Sequence, residues 1–152
     1  ATPHRLKLSQ MTQTPRSSPE LPLAGRPIDT ELPLQTREAE IARLVEHFYA
    51  LGREDPLLGS VFESRVSDWT KHLEAMKDFW SAAIYRTGRY RGRPLEVHRR
   101  MAEICHDHFA RWLQLWELAV GETVRSEART PLIAMAHRMA ETMAANVCGP
   151  SR

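Results

Sequence analysis

The sequence predicts an all-α protein, and three observations carry that expectation. Apolar residues recur at three- and four-residue spacing along five stretches, no stretch alternates as a half-buried strand would, and Gly, Pro and Asp-Pro breaks fall between the periodic runs. At 152 residues and 42% hydrophobic content the chain has room for one domain with a real core. Its net charge of +2 is not the strongly basic balance of a dedicated nucleic-acid binder, and no run of about 18 apolar residues is present to span a membrane.

Residues 1–34 hold six of the ten prolines, Pro3, Pro15, Pro19, Pro22, Pro27 and Pro33, with Ser and Thr between them and no apolar period. They are expected to be an extended or disordered leader before a folded domain at 35–148. The leader's first nineteen residues carry Arg5, Lys7 and Arg16 without an acid, a faint transit-peptide pattern that solvated tails share. The first helix is expected from Thr36, an imperfect cap, to near Arg53, on the period Ile41, Leu44, Val45, Phe48, Leu51 and Gly52. Tyr49 sits at the edge of that stripe, where its hydroxyl needs a partner if buried. Asp55-Pro56 then breaks the chain, and residues 56–63 read as a short helix or turn leading Phe62 toward the core.

The next helix carries one histidine on its apolar side. At 100° per residue, Trp69, His72, Leu73, Met76, Phe79, Trp80 and Ala83 share about a third of the circumference, so His72 points inward. Thr87-Gly88 reads as the stop. A loop with Arg89, Arg91 and Arg93 follows, and Pro94 opens barely two turns, to Arg100, that carry His98. From Ile104 the period returns with Cys105, His108, Phe109, Trp112, Leu115, Trp116 and Ala119 on one face, and Gly121 is expected to end it. The last helix is expected from about Ser126, through Leu132, Met135, Met139 and Met143, to a stop at Gly149-Pro150.

Two inward imidazoles, two tryptophans and a phenylalanine, with guanidinium groups at the mouth, suit a flat apolar ligand bearing acidic groups. Haem is such a ligand: its iron commonly takes a neutral histidine nitrogen, its faces need apolar contact, and its propionates need cations or water. The pattern alone makes haem a candidate only.

Landmarks in one order add to that reading: Phe48-Tyr49, Leu57-Leu58-Gly59-Ser60-Val61-Phe62, Trp69-Thr70-Lys71-His72, Phe79-Trp80, Tyr90-Arg91-Gly92-Arg93-Pro94-Leu95 with His98, and His108-Phe109-Ala110-Arg111-Trp112-Leu113. Over roughly residues 36–147 the chain resembles a group III truncated haemoglobin. The absence of any Gly-Gly fits that group rather than the others. The resemblance implies a shortened, 2-over-2 globin fold around haem b, with His98 the proximal iron ligand and Tyr49, His72 and Trp112 the distal, catalytic residues. It places Phe62 on the haem face, with Met76, Phe79 and Trp80 packing around the porphyrin. Arg86, Arg89, Arg91, Arg93, Arg99 and Arg100, joined by Tyr90, are the rim residues, of which one or two are expected to reach propionates. His72 has three open roles: gating small ligands, donating a hydrogen bond, or binding iron itself.

The implied protein is cytoplasmic and binds dioxygen, carbon monoxide and nitric oxide. A polar distal pocket suggests nitric oxide dioxygenation or peroxide chemistry with electrons from a separate reductase, with no nucleic-acid or membrane partner. Two other readings stand beside it: a haem-based gas or redox sensor acting through a partner, and a haem-free helical interaction module. Oligomeric state is left open. Cys105 and Cys148 read as reduced thiols, without a disulfide scaffold. His47, His106, His108 and His137 read as incidental, and a zinc site at Cys105, His106 and His108 is awkward because His106 lies about 100° round the helix from Cys105.

Overall fold

The 3.6-residue period of the sequence becomes six α-helices in a computed structural model that describes residues 30–148: α1 (Leu34–Glu54), α2 (Leu58–Arg65), α3 (Trp69–Tyr85), α4 (Pro94–Arg99), α5 (His106–Thr123) and α6 (Arg129–Val147). The expected short helix or turn after Asp55-Pro56 is a true helix, which makes six where five segments were expected. No strand occurs among the described residues, and the all-α expectation holds. Most of the expected leader, and the Gly149-Pro150 stop, lie outside the described residues.

Several boundaries differ from the sequence expectation, each for a local reason. Helix α1 starts two residues early, at Leu34 behind Pro33, whose carbonyl accepts from the Thr36 and Arg37 amides, so Thr36 is not the cap. Helix α3 starts where Asp68 accepts the Lys71 amide at 3.1 Å. It stops at Tyr85 because Arg86, ahead of the expected Gly88, already turns left-handed with φ 56° and ψ 42°; Gly88 follows with φ 71°. Helix α5 runs past Gly121 to Thr123, since a glycine without a left-handed turn only weakens a helix. Ser126 is not the cap of α6. Its hydroxyl accepts the Ala128 amide at 3.2 Å and donates to Glu40 at 2.5 Å, the Arg125 amide donates to the same carboxylate at 3.2 Å, and α6 begins at Arg129. The buried Glu40 thus ties the α5–α6 turn to α1.

Helices α1 and α3 form one layer and α5 and α6 the other, with α1 on α5 and α3 on α6. Short α2 rests on α1 and α5, and α4 on α6. The shared core includes Leu44, Val45, Phe48, Trp116, Ala119, Leu132 and Ala136. At its centre Trp116 stacks on Trp80 at 4.2 Å and on Trp112 at 5.6 Å between ring centroids, while Phe48 meets Trp112 and Trp116 edge-on. The Trp116 indole N–H donates to the Leu132 carbonyl at 3.2 Å, so burying it leaves no orphan donor.

The crossing of α1 and α2 depends on two glycines. A Cβ at Gly52 would lie 2.8 Å from the Phe62 ring, and one at Gly59 would lie 2.6 Å from the Arg53 carbonyl oxygen. Buried Asp55 fixes the same corner by accepting from the amides of Leu57 and Leu58 and from Arg111 Nε at 2.7 Å. Burial alone would raise its carboxyl, yet the bonds from Leu58, Arg111 and Leu57 hold it below the usual carboxylate range.

Candidate functional site

A cavity of about 490 Å³ lies between the two layers, within the ordinary range for cofactor pockets. Its walls are apolar for the most part, and every helix contributes to them. Aromatic and sulfur side chains dominate: Phe48, Phe62, Met76, Phe79, Trp80, Phe109, Trp112 and Trp116 all face it. Of the α3 stripe, His72, Met76, Phe79 and Trp80 therefore border a hole, while Ala83 lies in the core and Trp69 and Leu73 pack against it.

Three imidazoles line this one cavity, His72 from α3, His98 from α4 and His108 from α5. His98 Nδ1 is 2.6 Å from the Pro94 carbonyl oxygen. A carbonyl can only accept, so Nδ1 carries the proton and neutral His98 keeps its lone pair on Nε2. That is the second-shell arrangement typical of a histidine that binds a metal. Burial lowers the His98 pKa although the Pro94 bond pulls the other way, and burial followed by the charge of His98 lowers that of His72. Burial thus favours the neutral form of both rings, the form that a metal-ligating nitrogen requires.

The polar pair on the His72 side is Tyr49 and His72, whose hydroxyl and Nε2 lie 3.0 Å apart. Tyr49 is buried, its ring edge-on to Phe48, Phe62, Trp69 and His72. Burial, with a smaller contribution from Tyr90, pushes its phenol up, so it stays protonated and can donate. Trp112 stands in the same wall, packed against Phe48.

The cations are distributed differently from the sequence expectation. Tyr90 lines the cavity with its ring edge-on to Phe79, but Arg91, Arg93 and Arg99 are exposed and do not line it. Arg93 pairs with Glu96 at 3.2 Å, Arg99 donates to the Asn146 side-chain oxygen, and Arg89 pairs with Glu38 and Asp78. The cations that line the cavity are Arg65 and Lys71. Arg65 holds Glu103 with two 2.7 Å bonds across the mouth, between α2 and the α4–α5 loop. The sequence carried a signal for Arg65, which lies three residues after Phe62 and so on the same face of α2. Lys71 lies about 100° round α3 from His72, and its long stem lets it reach the cavity.

His108, read as incidental, also lines the cavity. Its Nδ1 accepts the Cys105 amide at 3.1 Å and so closes the N-terminus of α5. Cys105 is the exposed cap of α5 rather than part of its buried face. Among the described residues no group of three His, Cys, Asp or Glu side chains could hold a metal ion. His47 pairs with Glu122 and His137 with Glu117, both at the surface.

The family model for bacterial-like globins matches residues 36–145, most of the described chain. The chain belongs to the bacterial-like globin family. Among curated proteins, the group 3 truncated hemoglobin ctb of Campylobacter jejuni is 27% identical over 107 residues, covering 68% of this chain and 84% of that relative. Among solved structures, the crystal structure of group III truncated hemoglobin from Campylobacter jejuni matches with a TM-score of 0.70 at 25% identity, covering 82% of this chain and 100% of that one. The fold is accordingly that of a truncated globin, and membership implies haem as cofactor and diatomic gases as ligands.

The residues of this globin fit that cofactor. The cavity has apolar walls for the porphyrin faces, a histidine whose Nε2 is left free by its Nδ1 bond, and two cations at hand for acidic side groups. No helix among the described residues is long and apolar enough to cross a membrane.

Proposed function

We propose that this globin holds haem b through His98 Nε2 and uses the Tyr49, His72 and Trp112 side of the cavity to act on a small gaseous ligand. In this reading the globin domain is residues 35–148, and Phe62, Met76, Phe79, Trp80 and Tyr90 pack around the porphyrin. The observation that carries the reading is the pairing of one histidine with a bonded Nδ1 and a second histidine bonded to a tyrosine, both on one apolar cavity. Bound ferrous haem would supply an iron that takes dioxygen, carbon monoxide or nitric oxide.

The chain's own groups then set what happens to the ligand. Tyr49 has a single O–H. If His72 Nε2–H donates to the Tyr49 oxygen across their 3.0 Å contact, that O–H is left to point into the cavity; if Tyr49 donates to His72, it is not. The tautomer of His72 therefore controls the donor offered to the ligand. The Trp112 indole N–H, which can only donate, adds a second donor in the same wall. Donors in a dry pocket strongly stabilise developing negative charge, which favours chemistry on a bound ligand over its simple delivery. Nitric oxide dioxygenation or peroxide chemistry, with electrons from a separate reductase, fits that bias.

Arg65 and Lys71 line the cavity, which supports a role as propionate partners better than the position of Arg91, Arg93 or Arg99 does, with Arg65 sharing its guanidinium with Glu103. The test is the visible spectrum of protein expressed with hemin, in ferric, ferrous and carbonyl forms, followed by nitric oxide consumption by the oxygenated ferrous form. Pigmented protein whose Tyr49→Phe variant consumes nitric oxide several-fold more slowly is expected. Folded but colourless protein would overturn the reading, and unchanged turnover in Tyr49→Phe would overturn the donor role.

A further inference from the structure

The chain's two cysteines, far apart in sequence, meet at the seam between the start of α5 and the end of α6. Cys105 is exposed at the N-cap of α5, and Cys148 is half-buried just past the last residue of α6. Cys148 Sγ lies 3.9 Å from the carbonyl oxygen of Ile104, the peptide group that leads directly into Cys105. The two thiols also sense one another: burial first, and Cys105 second, push the Cys148 thiol up. Cys105 alone has a base beside it, with His108 Nδ1 3.2 Å from its sulfur. An accessible thiol with a neighbouring base, poised next to a second and more covered thiol, is the usual layout of a reversible redox pair.

We propose that Cys105 and Cys148 form a reversible intramolecular disulfide, with Cys105 the attacking thiol, Cys148 the resolving thiol and His108 the proton carrier. The oxidant is a low-molecular-weight disulfide of the glutathione class. His108 Nδ1 exchanges its bond from the Cys105 amide for the Cys105 thiol and takes the thiol proton as the sulfur attacks one sulfur of that disulfide; a mixed disulfide forms, the small disulfide's S–S bond breaks, and the first small thiol leaves with the proton. Cys148 sulfur then attacks the Cys105 sulfur, the protein disulfide forms, and the second small thiol leaves with the Cys148 proton. Both cysteines are oxidised and one small disulfide is reduced to two thiols, so atoms and electrons balance.

The bond would act on the cavity wall. Ile104 and His108 line the cavity from one side of the seam and Met143 from the other, and Arg99 to Asn146 already joins α4 to the same end of α6. A covalent link there removes the freedom of the α4–α5 loop to part from α6. This inference does not depend on haem.

The test equilibrates the full chain in reduced and oxidised glutathione buffers, quenches with acid, blocks free thiols and maps the peptides by mass spectrometry. The expected result is loss of both thiols together, with a linked pair of peptides containing Cys105 and Cys148 in protein that remains unlinked to any second chain. Cys148→Ser should stop at a glutathione adduct on Cys105. Cys105→Ser should leave Cys148 modified at least ten-fold more slowly, and His108→Ala should slow the first step several-fold. Separate glutathione adducts on both cysteines without the linked peptide, or a link found only between chains, would overturn the proposal. So would a link that forms equally readily in the urea-unfolded chain, because the fold would then have no part in it.

Discussion

The two sides of the cavity are built by different means. The His72 side is carried by long helices: α3 has 17 residues and α1 has 21, and between them stand the buried Tyr49, Phe48 and Trp80. The His98 side is α4, six residues long, with Leu95 as its buried residue and Val97 exposed. A helix of that length does not hold itself together in water. The difference teaches that the Tyr49–His72 wall rests on long helices packed into the core, whereas α4 has little burial of its own and would gain from any bond, present only in the folded state, that His98 Nε2 makes.

The sharpest way to break this contrast is His98→Ala. Haem transfer to an acceptor apoglobin should accelerate on the order of 100-fold, because a metal ligand matters at least as much as its outer-shell partners. Retention equal to that of the unaltered protein would remove His98 from the ligand role. In haem-free protein, amides of residues 94–99 should exchange with solvent well before those of 69–85, and equal protection would mean that α4 needs no help.

Asp55→Ala tests the other side. It strips a buried partner from Arg111 and from two helix-start amides, so urea unfolding should show a loss of about 2 kcal/mol. A loss within error would show that the α1–α2 corner does not depend on this carboxylate. Tyr49→Phe should leave haem retention intact while dioxygen dissociates about five-fold faster, the worth of one hydrogen bond of about 1 kcal/mol. An unchanged dissociation rate, measured by ligand replacement, would assign the donor elsewhere.

Acid should weaken haem-free protein on both sides at once. Burial lowers the pKa values of His72 and His98 below 6.5, so on acidification the unfolded chain takes up protons first. The stability these neutral rings contribute is present above pH 6.5 and is lost as pH falls through their lower folded values. A flat stability profile across that window would show the rings to be solvated. The smallest effect is expected from Arg65→Ala, about two- to five-fold faster haem loss that salt should mimic, because the Arg65–Glu103 pair is exposed. The guanidinium of Arg65 holds the Glu103 carboxyl down to about 2, so the pair should persist in mild acid.

Much of this was legible in the sequence, because the helical period needs only the residues themselves. His72, Phe79 and Trp80 on one stripe, Tyr49 at the edge of another and His98 after Pro94 follow from spacing and from family landmarks, and all five line the cavity. What was not legible belongs to tertiary geometry. Arg86 in a left-handed conformation hides the end of α3, since the sequence offers Gly88 as the conventional stop. Ser126 has the composition of a cap but serves Glu40, a residue far away along the chain. Density of arginine in one loop is a misleading guide to the rim, whereas Lys71 reaches the cavity by the length of its stem. His108 escaped because a ring that caps its own helix and also lines a cavity needs a three-dimensional path to be seen.

The indole stack described above has an optical consequence. Trp80, Trp112 and Trp116 all border the cavity, within a few ångströms of any chromophore placed there. Their ultraviolet emission would be drained by energy transfer to a porphyrin as it seats and would return as it departs. The protein thus carries its own fluorescent gauge of occupancy, readable without a label.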